Sequence, residues 1–162
     1  AAKTMNFLTE HGISSYGELE SKLNAVSARR DTAHAEIKRI ESRSAELALV
    51  MKHAGTYRQL KPLYDRYRKS NDKEKFLRGH ESEIILFEAA ARELKRLGAV
   101  PLPTTESMKT ELANLNAEKE RFLAEYKAAR TEAQEYDTVK QNVDALLTVP
   151  KEQEQQRRHE LE

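Results

Sequence analysis

The sequence predicts an all-α protein: a long antiparallel coiled-coil hairpin, or stalk, with a small helical head in the middle of the chain. Three observations carry that expectation. Charged residues make up 34% of the chain while Gly and Pro number only 5 and 4, and abundant Ala, Glu, Lys, Leu and Arg with few breakers is the composition of long helices. Apolar residues recur at alternating spacings of four and three over two stretches of similar length. Between those stretches lies KEKFLRGHESEIILFEAAARELKRLG (73–98), denser in apolar residues than either, with Ile84, Ile85, Leu86 and Phe87 side by side.

The first element, 1–12, reads as a short helix, AAKTMNFLTEHG, stopped by Gly12. Ser15 followed three positions later by Glu18 fits a capping box, in which the hydroxyl takes the third amide and the carboxylate returns the bond. From there the first coiled-coil helix, 16–55, carries the seam Leu19, Leu23, Val26, Arg30, Ala33, Ile37, Ile40, Ser44, Leu47, Met51, Ala54. A 3.5-residue repeat keeps one stripe facing a partner helix; Arg30 and Ser44 are its polar lapses. Gly55 and Pro62 predict a break or kink between them, because proline removes an amide and clashes one turn back.

Residues 56–104 read as the head. YRQLKPLYDRYRKS (57–70) and 73–97 predict two shorter helices. In the second, Leu77, Ile84, Phe87, Ala91 and Leu94 form one stripe, which Ile85 and Leu86 widen enough to touch two neighbours. Tyr57, Tyr64 and Tyr67, with Leu60 and Leu63, supply the facing surface. The expected head core is thus Tyr57, Tyr64, Tyr67, Leu77, Ile84, Phe87 and Leu94. Pro101 and Pro103 hold the next loop extended, and Thr104 or Thr105 offers the following N-cap.

The second coiled-coil helix, 105–148, carries Met108, Leu112, Leu115, Lys119, Phe122, Tyr126, Ala129, Ala133, Tyr136, Lys140, Val143 and Leu147 on its seam. Residues 149–162 have no apolar period and predict a frayed tail. The chain begins at Ala1 already in a helical pattern and closes on Leu161-Glu162, the form of a cloning scar; an excised piece of a larger protein is expected. Each seam covers about 40 residues, or roughly 60 Å at 1.5 Å per residue. Matching lengths favour an intramolecular hairpin; a homodimer pairing each seam with its copy is the alternative.

Composition narrows the function classes. Net charge is +1 and mean hydropathy −0.81; near-neutrality and regular apolar spacing argue against disorder. No cysteine occurs, which removes disulfides and thiolate chemistry and fits a reducing, cytoplasmic setting. No apolar run approaches the roughly 18 residues a membrane span needs. The histidines His11, His34, His53, His80 and His159 show no metal-ligand spacing, and His80 beside Glu81 and Glu83 reads as a solvated or hydrogen-bonded surface group. There is no Gly-rich phosphate loop and no nucleophile elbow. Neither a catalytic residue, a metal ligand nor a cofactor is therefore assigned.

The one uneven charge distribution runs from 58 to 78. Arg58, Lys61, Arg66, Arg68, Lys69, Lys73, Lys75 and Arg78 stand against Asp65, Asp72 and Glu74, a local charge of +5. Tyr57, Tyr64, Tyr67 and Phe76 are interleaved with them. Two readings stay open. Basic residues attract phosphates and exposed aromatics stack on unpaired bases; alternatively the aromatics are head core and the cations its solvated face.

The head and the second helix also share a pattern with a family. Tyr57, Lys61-Pro62, Tyr64, Tyr67, Lys75-Phe76, His80, Glu83-Ile84 and Ala89-Ala90 carry it. It continues through Leu102-Pro103, Ala117-Glu118-Lys119, Ala124-Glu125-Tyr126 and Asn142-Val143. Over most of the chain this resembles the C-terminal region of relaxases, the mobilisation nucleases of conjugative and mobilisable elements of Gram-positive bacteria. The resemblance implies a parent that nicks DNA at a transfer origin and becomes joined to the 5′ end through a tyrosine. It implies a metal-holding histidine cluster as well; none occurs in these 162 residues, so the nicking domain is expected upstream. This piece would then be a non-catalytic accessory module contacting single-stranded DNA, other transfer-complex proteins or its own copy. The alternative is a structural coiled-coil or dimerisation module unrelated to DNA transfer.

Overall fold

The structure, a computed structural model, describes residues 2–161; the side chains of 149–155 and 157 lie outside the described residues. Four helices follow in order: α1 Ala2–Glu10, α2 Tyr16–Lys69, α3 Lys73–Arg96 and α4 Thr105–Leu161. No strand occurs among the described residues. The chain divides into two compact units, one of 1–37 with 120–162 and one of 38–119.

In the first unit α1 closes on Gly12, whose φ of 63° is the left-handed conformation glycine adopts without Cβ strain. The Ile13 amide reaches back to the Leu8 carbonyl, 2.9 Å. The start of α2 carries a shifted version of the expected box. The Ser15 hydroxyl accepts from the Glu18 amide at 3.1 Å, as expected, but the Glu18 carboxylate returns to the Ser14 amide (2.8 Å) and hydroxyl (3.1 Å), one residue earlier. Those bonds hold the Glu18 carboxyl below its ordinary range.

Within this unit α4 runs antiparallel to α2, since Tyr16 meets Asp144 and Arg29 meets Glu132. Leu19, Val26, Ala133, Tyr136 and Val139 form the core, with Phe7, Leu8, Ile13, Leu23 and Val143 packed against it. Phe7 brings α1 onto this core edge-to-face with Tyr136, centroids 5.0 Å apart. Thr4, buried, accepts from the Asn142 amide nitrogen at 3.2 Å. Leu147 departs from the seam. It is 58% exposed, because α2 begins at Tyr16 opposite Asp144 and offers no further surface beyond it. The tail expected to fray is helical in its backbone as far as Leu161.

In the second unit the antiparallel pairing of α2 with α4 is written in charge: Arg39 meets Glu118 (3.2 Å) and Arg43 meets Glu111. Arg43 grips Glu111 with two bonds, 2.7 and 3.1 Å, which hold the Glu111 carboxyl below the usual carboxylate range. Ile40, Leu47, Val50 and Ala54 of α2, Ile84, Phe87, Ala90 and Leu94 of α3, and Met108 and Leu115 of α4 are all buried.

The break expected between Gly55 and Pro62 is absent, and so is a separate helix over 57–70; α2 runs without interruption to Lys69 with Pro62 inside it. Proline in a helix interior costs about 3 kcal/mol, so other contacts must offset it to keep the helix unbroken. Tyr57 and Tyr64, seven residues apart and straddling Pro62, both stack on Phe87 at 4.8 and 4.3 Å. One α3 ring thus ties down the helix before and after the proline.

The widened α3 stripe is also corrected. Ile84 and Phe87 are buried at 2% and 5%, but Ile85 and Leu86 are each 55% exposed. Successive residues step about 100° around a helix, so four in a row cannot share one face. α3 ends as Gly98 turns the chain at φ 70°, with the Ala99 amide on the Leu94 carbonyl at 2.9 Å, a left-handed C-terminal stop. The Val100–Pro101 bond is cis. Thr104 supplies the N-cap of α4, its hydroxyl accepting from the Ser107 amide at 3.1 Å.

Candidate nucleic-acid interface

The basic stretch 58–78 folds onto the end of α2, the turn 70–72 and the start of α3, all within the second unit. The turn is built by short polar side chains. Ser70 accepts from the Asp72 amide (3.2 Å), and Asp72 caps α3 by accepting from the Lys75 amide (3.1 Å). Asp72, one of the three acids of the stretch, therefore spends its charge on a helix end.

Six of the eight sequence-predicted cations gather at this corner. Arg66, Arg68 and Lys69 lie in the last turn of α2, where positive charge suits the helix dipole. Lys73, Lys75 and Arg78 lie in the first two turns of α3, where the first two oppose it. No side-chain hydrogen bond or ion pair engages any of the six among the described residues; the Arg66 guanidinium rests 5.8 Å from the Phe76 ring centroid.

The other two predicted cations lie elsewhere and are occupied. Arg58 donates to the Pro103 carbonyl and to the Thr105 hydroxyl, the latter at 3.0 Å, and so pins the loop before α4. Lys61 pairs with Asp65 one turn on, 3.0 Å, a hydrogen bond that raises its pKa above the ordinary lysine value.

The interleaved aromatics are neither wholly core nor wholly surface. Tyr57, Phe87, Tyr64, Tyr67, Phe76 and His80 form a continuous ladder with successive centroids 4.8, 4.3, 5.8, 5.9 and 4.6 Å apart. Phe87 is buried and the others half-buried. His80 sits at a local kink of α3 (φ −137°, ψ 26°), its Nδ1 3.2 Å from the Glu83 carboxylate. Of the seven expected head-core residues, Ile84, Phe87 and Leu94 are buried, and Tyr57, Tyr64, Tyr67 and Leu77 half-buried.

The sequence reading missed Arg92. It borders a groove of about 460 Å3 together with Tyr57, Tyr64 and Arg68. Its signal was its place on α3 next to Ala91, a position already assigned to the stripe facing α2, whereas the charge count stopped at Arg78. Among the described residues no group of three or more His, Cys, Asp or Glu is placed to hold a metal ion, and no helix is long and apolar enough to cross a membrane.

Among the described residues the fold is all-α, with α2 antiparallel to α4 within each unit and a basic corner joining α2 to α3 in the second. Comparison of the chain with protein-family models, curated proteins and solved structures finds no match.

Proposed function

We propose that this chain is a non-catalytic, cytoplasmic accessory module of a DNA relaxase, whose basic α2–α3 corner contacts the phosphates of single-stranded DNA. The observation that carries the reading is the gathering of Arg66, Arg68, Lys69, Lys73, Lys75 and Arg78 around one three-residue turn. Helix formation does not ask for Lys73 and Lys75, since cations in the first turn of a helix are disfavoured by about 0.3–1 kcal/mol each. A site that breaks a local rule without local gain points to a partner that supplies the compensation. The family resemblance adds the kind of partner. Contact through phosphates alone is insensitive to sequence.

The test is fluorescence anisotropy of a labelled oligothymidine at low and moderate salt. With about three to five phosphates met at once, the log–log salt slope is about −2 to −4 for a single strand. Lys69, Lys73 and Lys75 changed together to Glu abolish binding while helicity by circular dichroism is kept. No binding to the wild-type chain at low salt overturns the reading. A histidine-rich nicking motif in the upstream sequence of the parent gene tests the relaxase assignment separately.

A second reading, a structural or dimerisation module, is favoured by the exposure of Ile85 and Leu86 on the outer face of α3. Light scattering tests it: a dimer that Ile85→Ser with Leu86→Ser turns into a monomer moves this reading to first place.

A further inference from the structure

Resting on the DNA-contact reading but adding a site to it, we propose that the groove between α2 and α3 is a subsite for one nucleotide. Tyr57 and Tyr64 would take the base, and Arg68 with Arg92 the phosphate. The groove's volume of about 460 Å3 falls in the roughly 300–1,000 Å3 range of small-molecule sites.

The walls are chemically divided. α2 brings the tyrosines, and the buried Phe87 ring wedged between them at 4.8 and 4.3 Å fixes both, so an aromatic surface is formed before any ligand arrives. Arg68 comes from α2 and Arg92 from α3. Among the described residues neither guanidinium makes a hydrogen bond or ion pair; Arg29, Arg39, Arg43, Arg58 and Arg96 are engaged, while Arg66 and Arg78 at the neighbouring corner are, like these two, open to an outside anion. A guanidinium presents a planar fork of donors matched to phosphate oxygens. Two unfilled forks beside aromatic rings suit a ligand that is anionic at one end and flat at the other.

The acids on the groove do not cancel this. Asp65 is held by Lys61 at 3.0 Å. Glu88 then sets one carboxylate against the two arginines Arg68 and Arg92.

The ligand chemistry has two sources, a free mononucleotide or one unit of a strand, and the experiment separates them. Binding of dTMP is followed by calorimetry, and binding of a labelled oligothymidine by anisotropy at low salt. Arg92→Gln and Lys109→Gln are compared, the second a surface lysine of α4 outside the groove. A 5-iododeoxyuridine oligonucleotide is photocrosslinked and the adducts mapped by mass spectrometry.

The expected result is about tenfold weaker binding for Arg92→Gln, little change for Lys109→Gln, and adducts on Tyr57 or Tyr64. Competition by dTMP at the groove assigns the free nucleotide as a ligand; its absence with oligonucleotide adducts present assigns the strand. Oligonucleotide binding that Arg92→Gln leaves intact, with adducts elsewhere, overturns the groove and leaves the corner reading standing. Binding of dTMP without oligonucleotide binding keeps the groove and overturns the strand reading. No binding of either probe overturns both.

Discussion

Replacing Phe87 by alanine is the sharpest perturbation of the second unit. The ring is 5% exposed and stacks on Tyr57 at 4.8 Å and on Tyr64 at 4.3 Å. Deleting a buried phenyl costs about 3–5 kcal/mol through lost transfer energy and the residual cavity. Paired rings add about 0.5–1.5 kcal/mol beyond the area they bury, so the upper part of the range, about 4–5 kcal/mol, is expected. The two tyrosines sit on either side of Pro62, so the loss also removes the ring contact that both flanks of the proline share. Urea unfolding followed by circular dichroism measures the total, and hydrogen exchange locates the loosened amides, expected over 55–66 and 83–94. Ile84→Ala costs somewhat less, about 2–4 kcal/mol. Ile85→Ala and Leu86→Ala, on the outer face, stay within about 0.5 kcal/mol. A Phe87→Ala chain as stable as the wild type, or a Leu86→Ala chain as damaged as Phe87→Ala, would refute the packing argument.

Three further outcomes follow from the same contacts. Ala129 is fully buried on the α4 seam, so Ala129→Leu overpacks the close approach of the arms and lowers the urea midpoint by an amount worth about 1–3 kcal/mol. Pro62 is exposed on an unbroken helix, so Pro62→Ala returns an amide to the Arg58 carbonyl. It raises stability by up to about 3 kcal/mol, less the entropy proline removes from the unfolded chain. The Tyr16 hydroxyl donates to Asp144 at 2.6 Å, and this bond lifts its pKa from the ordinary 10.0 to about 12. Because the folded value is the higher one, the contribution is complete below pH 10 and is lost as pH rises through about 12. Proton-resonance titration of Tyr16 shows the raised value, which Asp144→Asn lowers.

The seams were legible because coiled-coil spacing is a one-dimensional signal. Every position assigned to them from Leu19 to Ala54 and from Met108 to Val143 is buried or half-buried, Arg30, Ser44, Lys119 and Lys140 included. What failed were rules whose outcome depends on a partner. Gly55 and Pro62 break an isolated helix, but one α3 ring contacting both sides outweighs them. Ile85 and Leu86 were read by hydropathy alone, yet their direction is set by the helix period once Ile84 and Phe87 define the inner face. The Ser15 and Glu18 box was right in its hydroxyl half. The carboxylate found Ser14, which presents both an amide and a hydroxyl, where Ser15 had already committed its side chain. Arg92 was invisible for a related reason: a groove is a property of two helices, and α3 contributes this cation from outside the stretch that drew attention.

Charge pairing makes the strongest argument about what the corner is for. The chain holds 28 Lys and Arg against 27 Asp and Glu, so acids are available in nearly equal number. Along the arms they are used: Arg29 meets Glu125 and Glu132, Arg39 meets Glu118, Arg43 meets Glu111, and Lys119 meets Glu41. Each such exposed pair adds only about 0–1 kcal/mol; their consistent placement sets the register of the arms more than it adds stability. At the corner the pattern stops. Asp72 is taken by the α3 cap and Asp65 by Lys61; Glu74 stands between Lys73 and Lys75, and among the described residues no ion pair engages the six cations of the corner. A single lysine-to-glutamate change at position 73 would favour the dipole of α3. Between 66 and 78 six cations stand against Asp72 and Glu74, a local excess of positive charge that raises the potential there.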